Sequence, residues 1–205
     1  MASIQIVSDL HLSHRHYDNY HIAPKAPYPA LLGDIGCVKD AGFISFLDRQ
    51  LSEFRAVFHV LGNHEPYGSS WDDIRERLHT FQETNQQRRR EDASAALGEY
   101  VLMVKTITED PRRKIVILTH HSPTEDSRAV KQLHANSNLR SGFSTDLRGQ
   151  LCWDSPQVRL WAFGHTHYNC DFVDEGTGKR VYTNQKGYST GRSAGFREGH
   201  VVQIS

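Results

Sequence analysis

Short runs of apolar residues recur along the chain and predict β-strands, because each run has strand length and is bounded by glycine or polar residues. The runs are 4–7, Pro29–Leu32, 56–61, Ile115–Leu118, Val158–Phe163 and Val201–Ile204. The sequence Gly176-Thr177-Gly178 predicts a turn between two further strands near the C-terminus. All but the last of the six runs are followed within two residues by Asp, Asn or His. Side chains that could take part in chemistry therefore lie at the predicted strand ends.

Three stretches place apolar residues at helical spacing and predict amphipathic helices. The first is marked by Phe43, Phe46, Leu47, Leu51 and Phe54. The second begins near Ser70, has Asp73 in capping-box position and buries Trp71, Ile74, Leu78 and Phe81. The third is predicted from Ala96, Leu97, Tyr100, Val101 and Val104 and is stopped by Pro111. Strands and helices therefore alternate, and we expect an α/β protein.

Composition narrows the class of protein. Lys plus Arg and Asp plus Glu both total 24, so there is no strong signal for nucleic acid or for an acidic membrane. At 205 residues the chain fits one domain, 1–205. Three scattered cysteines argue against a disulfide framework, and no run is long and apolar enough for a leader or a membrane span. We expect a soluble, cytoplasmic protein without a membrane partner.

Five of the predicted strands end in clusters of metal-binding residue types. The clusters are Asp9-x-His11, Gly33-Asp34, Gly62-Asn63-His64, His120-His121 and Gly164-His165-Thr166-His167. Five chance coincidences are a poor explanation for such a series. A mixture of imidazole, carboxylate and amide oxygen suits Zn, Mn or Fe ions, and the lack of thiolate clusters disfavours a structural zinc site.

These motifs resemble those of the calcineurin-like metallophosphoesterases. The resemblance rests on Asp9-Leu10-His11, Gly33-Asp34, Gly62-Asn63-His64-Glu65, Thr119-His120-His121 and Gly164-His165-Thr166-His167, in that order. It implies a two-sheet β-sandwich flanked by helices, in four layers α-β-β-α, with two divalent metal ions at the strand ends. Carried over by position, Asp9, His11 and His167 hold one ion and Asn63, His120 and His165 the other. Asp34 would bridge the two ions.

The resemblance also implies a mechanism, in which a hydroxide between the two ions attacks the phosphoester. His64 matches the histidine that contacts the phosphoryl group or protonates the leaving oxygen. Of the adjacent pair His120 and His121, the family pattern favours His120 as the ligand and leaves His121 to face the substrate. His134 and Arg140 lie in a polar loop that is a further candidate for binding substrate, although a plain surface loop is an equal alternative.

Two departures from the family pattern qualify these expectations. Many members carry an Asp three positions after the bridging one, where it orients the catalytic histidine, and here that position is Cys37. The arginine that protein phosphatases place soon afterwards is also missing. The stretch from His64 to His120 is short for the family, so one edge of the sandwich is expected to be trimmed, and a second subunit is one way to cover it.

Three functions remain open on the sequence. The leading hypothesis is hydrolysis of a small phosphodiester. The first alternative is a phosphomonoesterase for a small metabolite or nucleotide. The second is a non-catalytic interaction module on the same fold, against which the complete set of ligand residues counts. The oligomeric state stays open, with a dimer among the alternatives.

Overall fold

The computed structural model describes residues 2–13, 16–92, 96–102, 112–131, 138–188 and 190–204, which form two β-sheets with flanking helices. The strands are β1 Ala2–Val7, β2 Pro29–Leu32, β3 Ala56–Val60, β4 Glu99–Leu102, β5 Ile115–Leu118, β6 Val158–Phe163, β7 Asp171–Val173, β8 Arg180–Thr183 and β9 Val201–Ile204. The α-helices are α1 His16–Asn19, α2 Ala41–Glu53, α3 Trp71–Glu91 and α4 Leu151–Asp154. A 3₁₀ turn spans Arg140–Gly142.

The parallel strands of the two sheets explain why one edge of the molecule collects polar residues. The first sheet has the order β4-β3-β2-β1-β9, in which β1 to β4 run parallel and β9 runs antiparallel to β1. The second has the order β5-β6-β8-β7, with β5, β6 and β8 parallel. Within each parallel set the carboxyl ends lie at one edge, so the loops that follow those strands are neighbours.

Strands that are largely apolar bury side chains on both of their faces. In β2, Ala30 and Leu32 pack between the two sheets, whereas Leu31 contacts the helices outside the first sheet. In β6, Leu160 and Ala162 point into the space between the sheets, and the residues that alternate with them face the other way. The period-two alternation of the strand therefore supplies side chains to two cores at once.

The outer layers complete a sandwich flanked by helices. Helix α2 buries Phe43, Phe46 and Leu47 against the first sheet, and α3 adds Ile74 and Leu78 to the same core. The outer face of the second sheet forms a separate apolar cluster, to which the short helix α4 contributes Trp153. The expected four-layer α/β fold is confirmed. The prediction of one domain over 1–205 stays a prediction.

The predicted third helix is wrong, because residues 99–102 form strand β4. Tyr100 and Leu102 are buried while Glu99 is exposed, so the stretch has strand periodicity, and it pairs in parallel with the free edge of β3. An available strand edge outweighs local helical spacing. The expectation that Trp71 is buried is also wrong, since Trp71 is 43% exposed at the first turn of α3.

Asn85 of α3 ties the helix to this edge strand. Its side-chain amide donates to the Gly98 carbonyl at 3.0 Å, and its side-chain oxygen accepts from the Tyr100 backbone N–H at 2.9 Å.

Residues 103–111, on which the predicted trimmed edge depends, lie outside the described residues, so that expectation stays a prediction. Within the described parts of the chain, no helix has the length and apolar character that crossing a bilayer requires.

We expect Asn85→Ala to lower the free energy of unfolding by about 2–4 kcal/mol, because two buried backbone groups lose their partner. Urea denaturation followed by circular dichroism measures the loss. The neighbouring Thr84→Ala, at an exposed position of the same helix, is the control and should change stability by about 0.5 kcal/mol or less. Equal stabilities of the two variants would contradict the anchoring role of Asn85.

Candidate metal centre

The backbone at the strand ends adopts a conformation that side chains rarely tolerate. Among the described residues, six non-glycine positions have a positive φ, and five of them are predicted metal ligands. The five are Asp9 at 54°, His11 at 46°, Asp34 at 53°, His165 at 67° and His167 at 48°. A residue held in the left-handed region costs of order 1–3 kcal/mol, and such residues concentrate at functional sites. The strain therefore marks the strand ends as the place where function is built.

Two buried carboxylates hold the strand-end loops against one another. Asp9 follows β1, and both of its oxygens accept from the backbone N–H of His165, after β6, at 3.1 Å. Asp34 follows β2 and accepts from the backbone N–H of His64, after β3, at 2.8 Å. Asp9 thus fixes a loop of the other sheet, and Asp34 fixes the loop of the neighbouring strand β3.

Glycine is required where these loops approach most closely. Gly33 has a φ of 82°, and a Cβ there would lie 2.5 Å from Nδ1 of His120 and 2.6 Å from the backbone nitrogen of Gly62. The backbone before Asp34 can therefore pass under the His120 ring only without a side chain.

The first group of ligand atoms contains Asp9, His11 and His167. Nε2 of His11 lies 3.0 Å from Nε2 of His167, and Oδ1 of Asp9 lies 3.3 Å from the same His167 nitrogen. Oδ1 of Asp9 is 4.0 Å from Nε2 of His11. The three side chains therefore direct their ligand atoms toward one point.

The second group contains Asp34, His120 and His165. Nε2 of His120 lies 3.4 Å from Oδ2 of Asp34 and 3.2 Å from Nδ1 of His165. The side-chain oxygen of Asn63 is 3.1 Å from the same His120 nitrogen, which places Asn63 beside this group. The outward ring nitrogens face backbone carbonyls, with His120 Nδ1 at 2.8 Å from Leu32 O and His165 Nε2 at 3.0 Å from Gly142 O. A ring that donates outward to such a carbonyl can offer its other nitrogen to a metal at the centre once that nitrogen carries no proton.

Asp34 connects the two groups. Besides its place with His120, it forms a third cluster of ligand atoms with His11 and His64. Nε2 of His64 lies 3.8 Å from Oδ2 of Asp34, and its ring meets the His11 ring edge-on at 4.6 Å. The carboxylate of Asp34 therefore lies where both groups can reach it.

The spacing of these atoms fits metal coordination. Donors that share one ion at distances of about 2.0–2.2 Å lie roughly 3.0–3.5 Å from each other. The shortest separations within the two groups, 3.0 to 3.4 Å, have this size. Convergent imidazole nitrogens and carboxylate oxygens suit Zn, Mn or Fe. The residues present therefore fit the metal that the sequence predicted.

Burial and charge set the protonation of the ligands. Burial would lower the pKa of His120, but its hydrogen bond with Asp34 and the charge of that carboxylate outweigh burial and raise the pKa to about 9. Burial would raise the pKa of Asp34, yet the hydrogen bonds from His120 and from the His64 backbone lower it to about 2. Burial lowers the pKa of His11 and of His165 to about 4, so both are neutral ligands at pH 7. A cation that displaces the His120 proton would find anionic Asp34 beside it.

The three residues predicted to bind substrate differ in how they lie relative to the metal centre. His121 is exposed, and its ring packs at 4.3 Å against the ring of His165, at the rim of the second group. Arg140 forms an ion pair with Glu125 and is not among the residues that line the main cavity. His134 lies outside the described residues. The predicted roles of these three residues in binding substrate stay predictions.

A cavity of about 990 Å³ opens over the centre. Its wall includes Asp34, Asn63, His64, His165 and His167 from the strand ends. The opposite wall comes from residues 190–195, which follow β8. The centre therefore faces a space large enough for a small organic substrate.

Two residues that position the ligands were missed by the sequence analysis. Glu65 is fully buried and accepts from the backbone N–H groups of Gly62, Asp34 and Ile35 at 2.7, 3.1 and 2.8 Å. Gln185, also fully buried, accepts from the backbone N–H of His167 at 2.6 Å. A carboxylate directly after the Asn63-His64 pair was a visible signal for Glu65, whereas nothing local distinguishes Gln185.

Two tyrosines outside the set of predicted site residues also border the site. Tyr67 lies with its ring 4.3 Å from the ring of His64. Tyr188 stacks on His11 at 4.3 Å and meets His167 edge-on at 4.6 Å. Both tyrosines are about half exposed, at 51% and 49%, so they form an accessible aromatic border around the imidazoles.

Comparison with known proteins assigns this fold and site to a class. A family model described as calcineurin-like phosphoesterase matches residues 2–169, and the chain belongs to that family. The phosphopantetheinyl hydrolase of Mycobacterium tuberculosis has a similar structure, with a TM-score of 0.60 and 13% sequence identity over 92% of this chain and 90% of that chain. That likeness shows the shared fold. No curated protein matches the chain. The family is one of metal-dependent phosphoester hydrolases.

We expect Glu65→Gln to weaken metal binding about 10–100-fold. The glutamine N–H₂ group is itself a donor and cannot accept from the backbone N–H groups that Glu65 holds, so both loops become less well fixed. The free energy of unfolding should fall by about 2–4 kcal/mol. Titration with Mn²⁺ by calorimetry and urea denaturation measure the two effects. Glu83→Gln, at an exposed position on α3, is the matched control. Parent-like affinity and stability in Glu65→Gln would show that this carboxylate does not position the loops.

Proposed function

We propose that the protein hydrolyses a small phosphoester, preferentially a phosphodiester, with two divalent metal ions. The observation that carries this proposal is the pair of convergent ligand groups beside an open cavity, in which Asp34 belongs to the second group and also clusters with His11 of the first. Membership of the calcineurin-like phosphoesterases supports the type of reaction. The number of ions and their identity, Mn, Zn or Fe, belong to the proposal.

In this proposal Asp9, His11 and His167 hold one ion, and Asn63, His120 and His165 hold the other. Asp34 contributes to both. When bound, such a pair of ions lowers the pKa of a water molecule and polarises the phosphoryl oxygens of the substrate. The backbone hydrogen bonds that Asp9 and Asp34 accept keep the ligands in place in advance, so little reorganisation is needed.

His64 is proposed to donate a proton to the departing oxygen. Its ring lies at the cavity wall, between Asp34 at 3.8 Å and the ring of Tyr67 at 4.3 Å. Cys37 occupies the position at which many family members place an orienting carboxylate. We propose that contact with Tyr67 and Asp34 orients the imidazole here instead.

The charge of the cavity wall supports a diester over a monoester. Among the described residues that line it, Lys131 and Arg192 are the cationic side chains, and most of the other lining residues outside the ligand groups are uncharged. A diester carries one negative charge on its phosphate and needs fewer cations than a dianionic monoester. The phosphomonoesterase is the alternative. Rates on matched aryl mono- and diesters, after loading with Mn²⁺, Zn²⁺ or Fe²⁺, decide between them.

A non-catalytic interaction module is the third candidate. The ligand atoms of such a module need not converge, whereas here they do. The three cysteines are free, and on that ground we propose a cytoplasmic location.

We expect two metal ions per chain, and we expect Asp34→Asn to impair both, because Asp34 is the ligand that the two groups share. Elemental analysis after dialysis gives the stoichiometry, and turnover of a nitrophenyl diester gives the activity. The matched control is Asp48→Asn, at a partly exposed position on α2. Full stoichiometry and full turnover in Asp34→Asn would rule out a shared carboxylate.

Single changes of ligands from one group should affect one ion preferentially. His167→Ala should reduce occupancy at the first group, and Asn63→Ala should reduce it at the second. The separation will be incomplete, because the groups are linked through Asp34. Equal loss of both ions from each variant would contradict the partition proposed here.

The role of His64 is tested by its dependence on the leaving group. Nitrophenolate departs without a proton, whereas an alkoxide needs one, and a positioned general acid contributes about 10²–10⁴-fold. We expect His64→Ala to reduce the rate on an alkyl diester by about 10²-fold more than on a nitrophenyl diester. His79→Ala, on the exposed face of α3, is the control. The same fractional loss on both substrates would mean that His64 binds phosphate or supports the metal ligands.

A further inference from the structure

A second cavity adjoins the metal centre and is separated from the first by two side chains. It has a volume of about 330 Å³. Tyr188 and Arg192 line both cavities, and His11 of the first ligand group also contributes to the second one. A substrate bound over the centre therefore has a second, smaller space directly beside it.

The wall of this second cavity carries an excess of cationic charge. Lys186 and Arg192 line it, and Glu198 is its one carboxylate among the described residues. Within the described parts of the chain neither cation forms an ion pair. Instead, the Lys186 ammonium lies 4.5 Å from the centre of the Tyr20 ring, and the Arg192 guanidinium lies 4.7 Å from that of Phe196. Two cations face one space against a single carboxylate.

The positive charges of Lys186 and Arg192 repel each other. Burial lowers the pKa of Lys186, the charge of Glu198 opposes this shift, and the charge of Arg192 adds to it. An anion placed between the ammonium and the guanidinium would relieve their repulsion and take up hydrogen bonds from both.

The segment that carries these residues is held firmly against the metal site. The backbone N–H of Gly187 donates to the carbonyl of Asp9 at 3.0 Å, and the N–H of Lys186 donates to the carbonyl of Ser8 at the same distance. The N–H of Ser193 closes the segment onto the carbonyl of Lys186 at 2.7 Å. The position of the cations relative to the ligand Asp9 is therefore set by backbone hydrogen bonds, which reduces the ordering that binding would require.

We propose that this second cavity binds an anionic group, a terminal phosphate or phosphonate, on the substituent of the phosphoester that is hydrolysed at the metal centre. The substrate class is thus an organic phosphoester with a second phosphate-like group at the other end of a linker. Lys186 and Arg192 determine this specificity, and the Tyr188 ring is the surface over which the linker passes. The inference rests on the proposed function, which supplies the first phosphate.

The experiment compares nitrophenyl phosphodiesters whose second ester group is an alkyl chain of two, four or six carbons, ending in a phosphonate or in a hydroxyl. The phosphonate cannot itself be hydrolysed as an ester. We expect at least one chain length to favour the phosphonate in kcat/KM by about 10–100-fold, mainly through a lower KM, as expected for charge-assisted hydrogen bonds.

Four variants test the named residues through the phosphonate-to-hydroxyl ratio, in which a general loss of activity cancels. Lys186→Met, which keeps the apolar stem on Tyr20, and Arg192→Gln should each abolish most of the preference. Lys186→Arg should retain it. Glu198→Gln should increase it, because the opposing carboxylate is removed, and mere structural damage would not produce a gain. Arg159→Gln, exposed on β6, is the control and should leave the ratio unchanged.

Calorimetric binding of the same compounds separates this inference from the proposed function. If the esters are not turned over but the phosphonate binds more tightly and loses that advantage in Lys186→Met, the anion site is supported and the phosphoesterase proposal fails. Hydrolysis of both esters with equal kcat/KM at every chain length would overturn the anion site and leave the proposed function standing. Unchanged ratios in both Lys186→Met and Arg192→Gln would also overturn it.

Discussion

The metal centre depends on buried side-chain acceptors that fix the loops after parallel strands. Asp9 and Asp34 each accept from the backbone of a loop on another strand, and Glu65 accepts from three backbone N–H groups in return. Without these bonds, loops whose residues hold left-handed conformations would relax. The geometry of the site therefore depends on the fold, since the sheets bring the loops together and the buried carboxylates hold them in place.

This arrangement explains how the strained ligand conformations persist. The strain is confined to loop residues directly after well-packed strands, where the two cores fill both faces of the sheet. Each strained residue has a hydrogen-bonded neighbour: His165 donates to Asp9, and His167 donates to Gln185. Separate contacts with the carbonyls of Leu32 and Gly142 orient the rings of His120 and His165. Ligand geometry and fold stability are for that reason expected to change together.

Backbone hydrogen bonds also fix the residues that border the site on the side where substrate is proposed to bind. Tyr188 lies on His11 and separates the main cavity from the smaller one that contains Lys186 and Arg192. Because its segment is bonded to the backbone of Asp9, a residue of the first ligand group, the anion site proposed here is tied to the position of the ions. The chain is neutral overall, so attraction of anionic groups is a property of the two cavities and not of the molecule as a whole.

The sequence by itself determined which residues end the strands, because apolar runs that stop at Asp, Asn or His are a local pattern. It also determined the α/β class and, through the family resemblance, the layered fold. Tertiary structure decided which segments pair as strands and which distant residues meet, because a local pattern contains neither. Residues 99–102 became a strand because the edge of β3 was free to pair with them. Gln185 and Tyr188 lie beside the ligand groups because β8 ends beside β6 in the second sheet, and no spacing along the chain records that neighbourhood.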